Sequence, residues 1–419
     1  MHEIIEQKSE RTILVGAGEE YGTSGNMHDS KFFEELRLLV KTAGAHVVGT
    51  VTQSRSHIDK TYYIGKGKAH ELGEEVVRLN ASSVIFDNDL TPAQVSNLQK
   101  LLEVKVIDRS GLILDIFALR ARTSEAKTQV ELAQLKYLLP RLTRQWTHLS
   151  RQVGGIGLRG PGETQLEVDR RRVRDRILHL TATLKKIEKQ RHVSRNLRKN
   201  SFKVSLVGYT NSGKSTLLNT MSGADVPVEN KLFKTLDSVT RLIKLKAAPD
   251  ILLSDTVGFI RNLPHDLIAS FRSTLEEVKD ADLLLHVIDI QNPEWEKQID
   301  VVNSVLADLG ASETKTIKVF NKIDLLENST LSDGLHARHQ SAVFISAEYG
   351  TGLDALEDAI KASAMKGQLL RTMTFGTGKS GLLGEIYKHG TILNTDGLDD
   401  EIVLTFMIPE KFAKKLGIE

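Results

Sequence analysis

One octapeptide limits the folds open to this 419-residue chain more than any other feature. Gly208-Tyr209-Thr210-Asn211-Ser212-Gly213-Lys214-Ser215 comes after the apolar run FKVSLV and leads at once into TLLNTM. G-x-x-x-x-G-K-S between a strand and a helix is a phosphate cradle. Its glycines let backbone N–H groups curl around one anion, and the helix N-terminus adds partial positive charge. The context predicts an α/β fold around it. Lys214 is placed to reach the β- and γ-phosphates and stabilise their charge electrostatically, Ser215 to ligate Mg²⁺, and Thr216 to line the site. Gly378-Lys379-Ser380 is no second copy, because the position five residues before its glycine is Met373.

Three short motifs C-terminal to this loop make it a guanine-nucleotide site. Asp255-Thr256-Val257-Gly258 comes after the apolar DILLS, so Asp255 can hold Mg²⁺ through water and the Gly258 N–H can meet the γ-phosphate. Asn321-Lys322-Ile323-Asp324 ends the run TIKVF. The Asp324 carboxylate accepts two hydrogen bonds from the N1–H and 2-amino group of guanine, which adenine cannot supply. Asn321 is expected to tie the base loop to the phosphate loop, and the Lys322 stem to cover the ring. Ser346-Ala347, after AVFIS, is placed to offer backbone N–H to the guanine carbonyl. A Mg²⁺-sensing threonine is expected at Thr235 in LFKTLDSVTR, with Thr240 as the runner-up. Its neighbours Phe233, Lys234, Leu236 and Asp237 would line the nucleotide in a loop that the γ-phosphate orders. The ligands implied are GTP and GDP, with Mg²⁺ as cofactor. Asn211 has two readings: a ligand to a monovalent cation such as K⁺ beside the phosphates, or a residue suited to the loop's geometry.

The remaining chain is long enough for three or four units. Residues 1–120 alternate apolar runs (TILVG, HVVGTVTQ, SVIFD, VKVID) with helical patterns, which predicts a parallel sheet. Gly16 and Gly18 hint at a dinucleotide loop, but the third glycine position is Tyr21. Over 121–200 the pattern is helical. Leu135, Leu138, Leu142 and Leu149 form one seam and Val173, Ile177, Leu180, Leu184 and Ile187 another, the signature of an antiparallel hairpin. Its tip is the glycine-rich QVGGIGLRGPGETQ, whose G-x-G-x-x-G comes after a helix and not a strand. Residues 201–365 hold the nucleotide motifs, and 366–419 read as a small α+β unit.

Charge is distributed unevenly. The whole chain carries only +2, yet residues 141–200 hold 16 Lys and Arg against 5 Asp and Glu, a surplus of 11. Such segregation points to a polyanionic partner, although a solvated helical face gives the same composition. The absence of cysteine excludes disulfides, thiol catalysis and Cys-ligated zinc. No apolar run is long enough to span a bilayer, and the N-terminus lacks a secretion signal, so a cytoplasmic monomer is expected. A membrane-associated protein is a further reading, for which no amphipathic or lipidated anchor is visible.

The chain resembles the HflX family of Obg-related, translational-type GTPases. The likeness is carried by GTVTQSRSHIDKTYYIGKGKAHEL (49–72), GGIGLRGPGETQLEVDRRRVRDRI (154–177), and FKTLDSVTR beside DTVGFIRNLP. It implies an N-terminal α/β domain, a helical linker, a G domain and a small C-terminal domain. It also implies docking on the large ribosomal subunit and a role in splitting or rescuing stalled or idle ribosomes under stress. The alternative is a GTP-sensing RNA-binding regulator that does not act on ribosomes. Arg151, Arg159, Arg170, Arg171, Arg172 and Arg174 are the candidate RNA contacts, with Arg141 and Arg144 beside them; the N-terminal loop around His57, Lys60 and Lys66 is a further RNA surface. The family pattern FATLDPTTR is broken here by Lys234 and Ser238, which bears on the stiffness of the switch segment. Phe259 stands where Ras-like enzymes place a water-orienting glutamine. Hydrolysis by the isolated chain is therefore expected to be slow and to accelerate on the ribosome.

Overall fold

The computed structural model describes residues 10–21, 33–143, 165–196, 201–223, 233, 238–245, 248–261, 277–326, 338–376, 380–398 and 401–418. The chain divides into two compact units: Met1–Ile187 with short segments from further along, and the remainder.

The first unit is built on strands β1 (Arg11–Ala17), β2 (His46–Gln53), β3 (Ser83–Phe86) and β4 (Lys105–Ile107), in the order β2-β1-β3-β4 and all parallel. Helices α1 (Glu34–Thr42), α2 (Lys66–Arg78) and α3 (Pro92–Leu102) connect them. β1 and β3 are buried almost throughout, as strands covered on both faces must be, which is why they read as unbroken apolar runs. α3 begins with a capping box: Thr91 accepts from Gln94 N while the Gln94 side chain accepts from Thr91 N at 2.9 Å.

In an open sheet of this order, ligands lie beyond the strand ends where the winding reverses, here between β1 and β3. The protein's own side chains fill that place. The Tyr21 ring covers Gly16 so closely that a Cβ there would lie 2.3 Å from the ring, and its hydroxyl donates to Asp87 at 2.6 Å. Arg109, 1% exposed, is paired with both Asp87 and Glu35. Gly16 of LVGAGEEYG therefore accommodates a tyrosine.

α4 (Arg109–Arg120) is capped by the Asp108 carboxylate, which accepts from Gly111 N at 2.8 Å. The same buried carboxylate receives the Tyr137 hydroxyl at 2.6 Å and the Arg141 guanidinium at 2.7 Å. Arg141 is thus occupied within the fold, which removes it from the candidate RNA contacts. α5 (Ser124–Leu138) buries Ala126, Gln129, Val130, Leu132 and Ala133, while Leu138 of the expected seam is 45% exposed. On α6 (Gln165–Asn196) the expected seam holds: Leu180 is buried, and Val173, Ile177, Leu184 and Ile187 are half-buried between exposed neighbours. Glu131 of α5 and Arg176 of α6 form a bidentate pair at 2.7 and 2.9 Å. The glycine-rich tip, with Arg144, Arg151 and Arg159, lies outside the described residues.

The second unit has a six-stranded sheet of β5 (Phe202–Val207), β6 (Val239–Ile243), β7 (Ile251–Asp255), β8 (Leu283–Asp289), β9 (Thr316–Asn321) and β10 (Val343–Phe344), in the order β10-β9-β8-β5-β7-β6. Among these strands only the β6–β7 pair is antiparallel. α7 (Lys214–Ser222), α8 (Trp295–Asp308) and α9 (Leu353–Met365) flank it. Val204, Leu206, Leu253, Leu285, Val287 and Val319 form its core, so the C-terminal ends of β5, β7, β8 and β9 are held in register. Beyond it, β11 (Gln368–Gly376), α10 (Ser380–His389), β12 (Thr391–Leu398), β13 (Glu401–Pro409) and α11 (Glu410–Leu416) make an antiparallel sheet in the order β11-β13-β12. Leu404, Phe406 and Ile408 of β13 pack there with Ile386 and Ala413.

Candidate nucleotide site

β5 leads into Gly208, where a Cβ would lie 2.2 Å from Val287 O on the neighbouring strand. Gly213 (φ +95°) has similarly little room, its missing Cβ falling 2.1 Å from Asn321 Nδ2. Only glycine permits both approaches, and they bring the loop back over the sheet into α7. Lys214 is 6% exposed, and its ammonium donates to Gly208 O at 3.0 Å and Tyr209 O at 2.7 Å. Burial pushes its pKa down to about 8, with Asp255 opposing. The hydroxyls of Thr210 and Ser212 are buried without a hydrogen-bond partner, so the loop holds polar groups that a ligand can satisfy. Asn211 is exposed at φ 63°, a geometry that asparagine tolerates.

At the end of β7, Asp255 is 1% exposed and its Oδ2 accepts the Ser215 hydroxyl at 2.6 Å. A hydroxyl and a carboxylate in contact, beside a phosphate cradle, are the hard oxygen donors that suit Mg²⁺. The Thr256 hydroxyl donates to Leu206 O at 2.6 Å and fixes this strand end to β5. The Phe259 ring is 1% exposed and packs inward.

Asn321 joins three loops. Its Nδ2 donates to Ser212 O at 2.9 Å, and its Oδ1 accepts Ala347 N at 2.9 Å. The Ser346 and Ala347 N–H groups, expected on guanine, have partners within the protein: Ala347 N donates to Asn321 Oδ1 at 2.9 Å and Ser346 N donates to Thr351 O at 3.0 Å. Lys322 sits at φ 68° with its ammonium on Asp289 Oδ2 at 2.5 Å. Asp289 escapes motif reading; its only signal is an acidic residue at the end of the long apolar strand β8. Ile323 and Asp324 form a short turn with Leu325, and Asp324 is exposed.

The switch segment is only partly described. Lys234, Thr235, Leu236 and Asp237 lie outside the described residues. Phe233, expected beside the nucleotide, is counted with the first unit and is 3% exposed. Its ring stands edge-on to Phe117 at 4.7 Å, so its side chain serves packing. Thr240 lies on β6 with its hydroxyl 2.9 Å from Ser254 Oγ, which leaves Thr235 as the candidate metal sensor. Ser238, where the family pattern has proline, donates to Glu277 Oε1 at 2.9 Å, a restraint of another kind on the same segment.

Under the loop, His286 of β8 is 2% exposed and beside Lys318 in register. Burial, then the cations Lys318 and Lys214, push its pKa down to about 4. The unfolded chain takes up this proton near pH 6.5 and the folded chain only near 4. The contribution to stability is therefore full above pH 6.5 and is lost as pH falls toward 4. Between pH 7.5 and 5 the loss is expected to be about 2 kcal/mol. Urea titrations at both pH values should show it, and His286→Leu should flatten the difference; equal slopes in both proteins would sink this reading.

A mostly parallel sheet whose strand ends carry a phosphate loop, a hydrogen-bonded Ser–Asp pair and an Asn-Lys-x-Asp turn defines a phosphate-loop GTPase, and this chain is one. Family profiles agree: a GTP-binding GTPase N-terminal region matches residues 30–118, a GTP-binding GTPase middle region 120–198, and a 50S ribosome-binding GTPase 203–322. GTPase HflX of Caldanaerobacter subterraneus subsp. tengcongensis is 47% identical over 398 residues, covering 94% of this chain and 90% of its own length. GTPase HflX of Escherichia coli K12 is 49% identical over 335 residues, covering 79% of each. The chain belongs to the HflX family of GTPases. Among solved structures, a GTP-binding protein from Sulfolobus solfataricus in complex with GDP is similar at 26% identity and a TM-score of 0.43, over 85% of this chain and 99% of that one. No helix among the described residues is long and apolar enough to cross a membrane.

Proposed function

We propose that this GTPase docks on the large ribosomal subunit in its GTP-bound form and splits or rescues stalled or idle ribosomes under stress. The observation that carries this reading is the surplus of 11 positive charges over residues 141–200. Arg171, Arg172 and Arg174 of that segment are exposed along α6, and Arg170 is half-buried beside them. RNA is bound mainly through backbone charge and shape, and each phosphate neutralised steepens the dependence on salt. Arg151 and Arg159 of the glycine-rich stretch belong to the same basic segment of the sequence. The match to a family described as 50S ribosome-binding supports the large subunit as the target.

In this reading the nucleotide site acts as the gate. Mg²⁺ held by Ser215, Thr235 and, through water, Asp255 would offset phosphate charge, and Lys214 would stabilise what develops on the β- and γ-oxygens. Asn211 would hold a monovalent cation such as K⁺ beside the phosphates. With Phe259 packed inward, water is positioned only when the ribosome orders the switch segments. A location in the cytoplasm follows from such a partner.

Co-sedimentation with large subunits should be strong with a GTP analogue and weak with GDP. Replacing Arg170, Arg171 and Arg172 by Ala should weaken it by about tenfold or more at moderate salt and flatten its salt dependence, with GTP binding intact. Nucleotide-independent sedimentation, or none beside binding to other RNA, would favour the RNA-binding regulator.

A further inference from the structure

The DTVG loop of the second unit is fastened to the phosphate loop along its whole exit. Phe259 N donates to Gly208 O at 3.1 Å, and Thr210 N donates to Phe259 O at 2.8 Å. A third bond uses a side chain: Arg261 N donates to the phenol oxygen of Tyr209 at 2.8 Å. Tyr209 and Phe259 face each other as a parallel bridge, with both side chains buried. Gly258 is drawn in so far that a Cβ on it would lie 2.9 Å from Thr210 Cα and 3.1 Å from Lys214 Nζ. The Lys214 ammonium meanwhile rests on two carbonyls of its own loop.

This setting suits a diphosphate better than a triphosphate. A γ-phosphate held by both Lys214 and the Gly258 N–H needs its oxygens at roughly 2.7–3.2 Å from each donor. Room for it opens when the Gly258 backbone moves outward; Lys214, with two of its three N–H donors on carbonyls, keeps the third for a phosphate oxygen. Phe259 is held by its buried ring, and Thr210 N by a backbone bond. The Tyr209 phenol is the side-chain oxygen that holds the far end of the segment, at Arg261.

We propose that Tyr209 is a positioning residue whose phenol oxygen latches the Gly258–Arg261 segment shut across the γ-phosphate position, so that a nucleoside triphosphate must open the latch to bind and a diphosphate need not. The latch rests on the nucleotide site described above and deepens its role as a gate. It sets the ratio of di- to triphosphate affinity in the free protein.

Tyr209→Phe keeps the ring and its packing and removes the hydroxyl that accepts from Arg261 N. The full chain would be titrated, with Mg²⁺ present, with N-methylanthraniloyl-labelled GDP and with the same label on the non-hydrolysable analogue GMPPNP. The ratio of GMPPNP to GDP affinity is expected to rise by about fivefold, the worth of one net hydrogen bond. A tyrosine that merely supports the loop would change both affinities together. An unmoved ratio, or one shifted toward GDP, overturns the latch. A wild-type chain that binds neither nucleotide would instead overturn the reading of the site.

Discussion

Replacing Asp324 by Asn is expected to lower affinity for GTP by about 10²- to 10⁴-fold. Two hydrogen bonds to a charged acceptor are worth about 1.5–3 kcal/mol each, and tenfold in affinity is about 1.4 kcal/mol. The turn that presents Asp324 is held independently of its carboxylate, by Ile323 N on Ile345 O at 3.3 Å and Leu325 N on Lys322 O at 3.1 Å. The substitution therefore changes chemistry and leaves the geometry in place. An amide at this position offers a donor where guanine presents its own 2-amino group, so one contact becomes a clash of donors. Xanthine carries a carbonyl there and should regain much of the loss. Titration with fluorescent guanine and xanthine diphosphates measures both. A loss for guanine without a gain for xanthine would mean that the turn had collapsed.

The second large effect pits stability against activity at Lys214. Substitution by Met should weaken GTP binding by about 10²- to 10³-fold or more, since a charge-assisted contact to phosphate is worth roughly 1.5–3 kcal/mol and two phosphates share this one. The same change should stabilise the nucleotide-free protein by about 1–3 kcal/mol, because an ammonium held away from water is replaced by an apolar chain of similar length. The lowered pKa of Lys214, caused chiefly by burial, is the mark of that cost. Sites of this kind give up stability for function. Calorimetric melting without nucleotide, beside filter binding with it, checks the two halves. A lower melting temperature in the variant would show that the bonds to Gly208 O and Tyr209 O outweigh the desolvation.

The nucleotide loops were legible in the sequence because each is a short motif at the end of an apolar strand, and the chemistry of phosphate and guanine dictates residue types in order. The parallel rhythm of the first unit was legible for a similar reason: β1 and β3 are buried, largely apolar runs, and the valine-rich β2 lies between helical patterns. α4 left no stripe to read, since it buries Ser110, Leu112, Ile113, Leu114, Ile116 and Phe117 around its circumference, and its first residue is a buried arginine. The partners of that arginine, Glu35 and Asp87, lie far off in sequence, beyond any local pattern. At Ser346 and Ala347 the motif pointed to the right strand end but could not show where the N–H groups go. That depends on Asn321 arriving from another strand, and only the folded register of β9 beside β10 reveals it.

The triple linkage made by Asn321 also bears on how the ligand is felt. A single buried amide spans the loop that cradles phosphate and the loop next to the base turn. The two halves of the nucleotide therefore meet subsites fixed at one separation, and whichever half arrives first presents the other at high effective concentration. Guanosine and pyrophosphate offered as separate molecules would each pay for their own immobilisation and gain nothing from that preset spacing. The protein measures the length of a nucleotide as well as its ends.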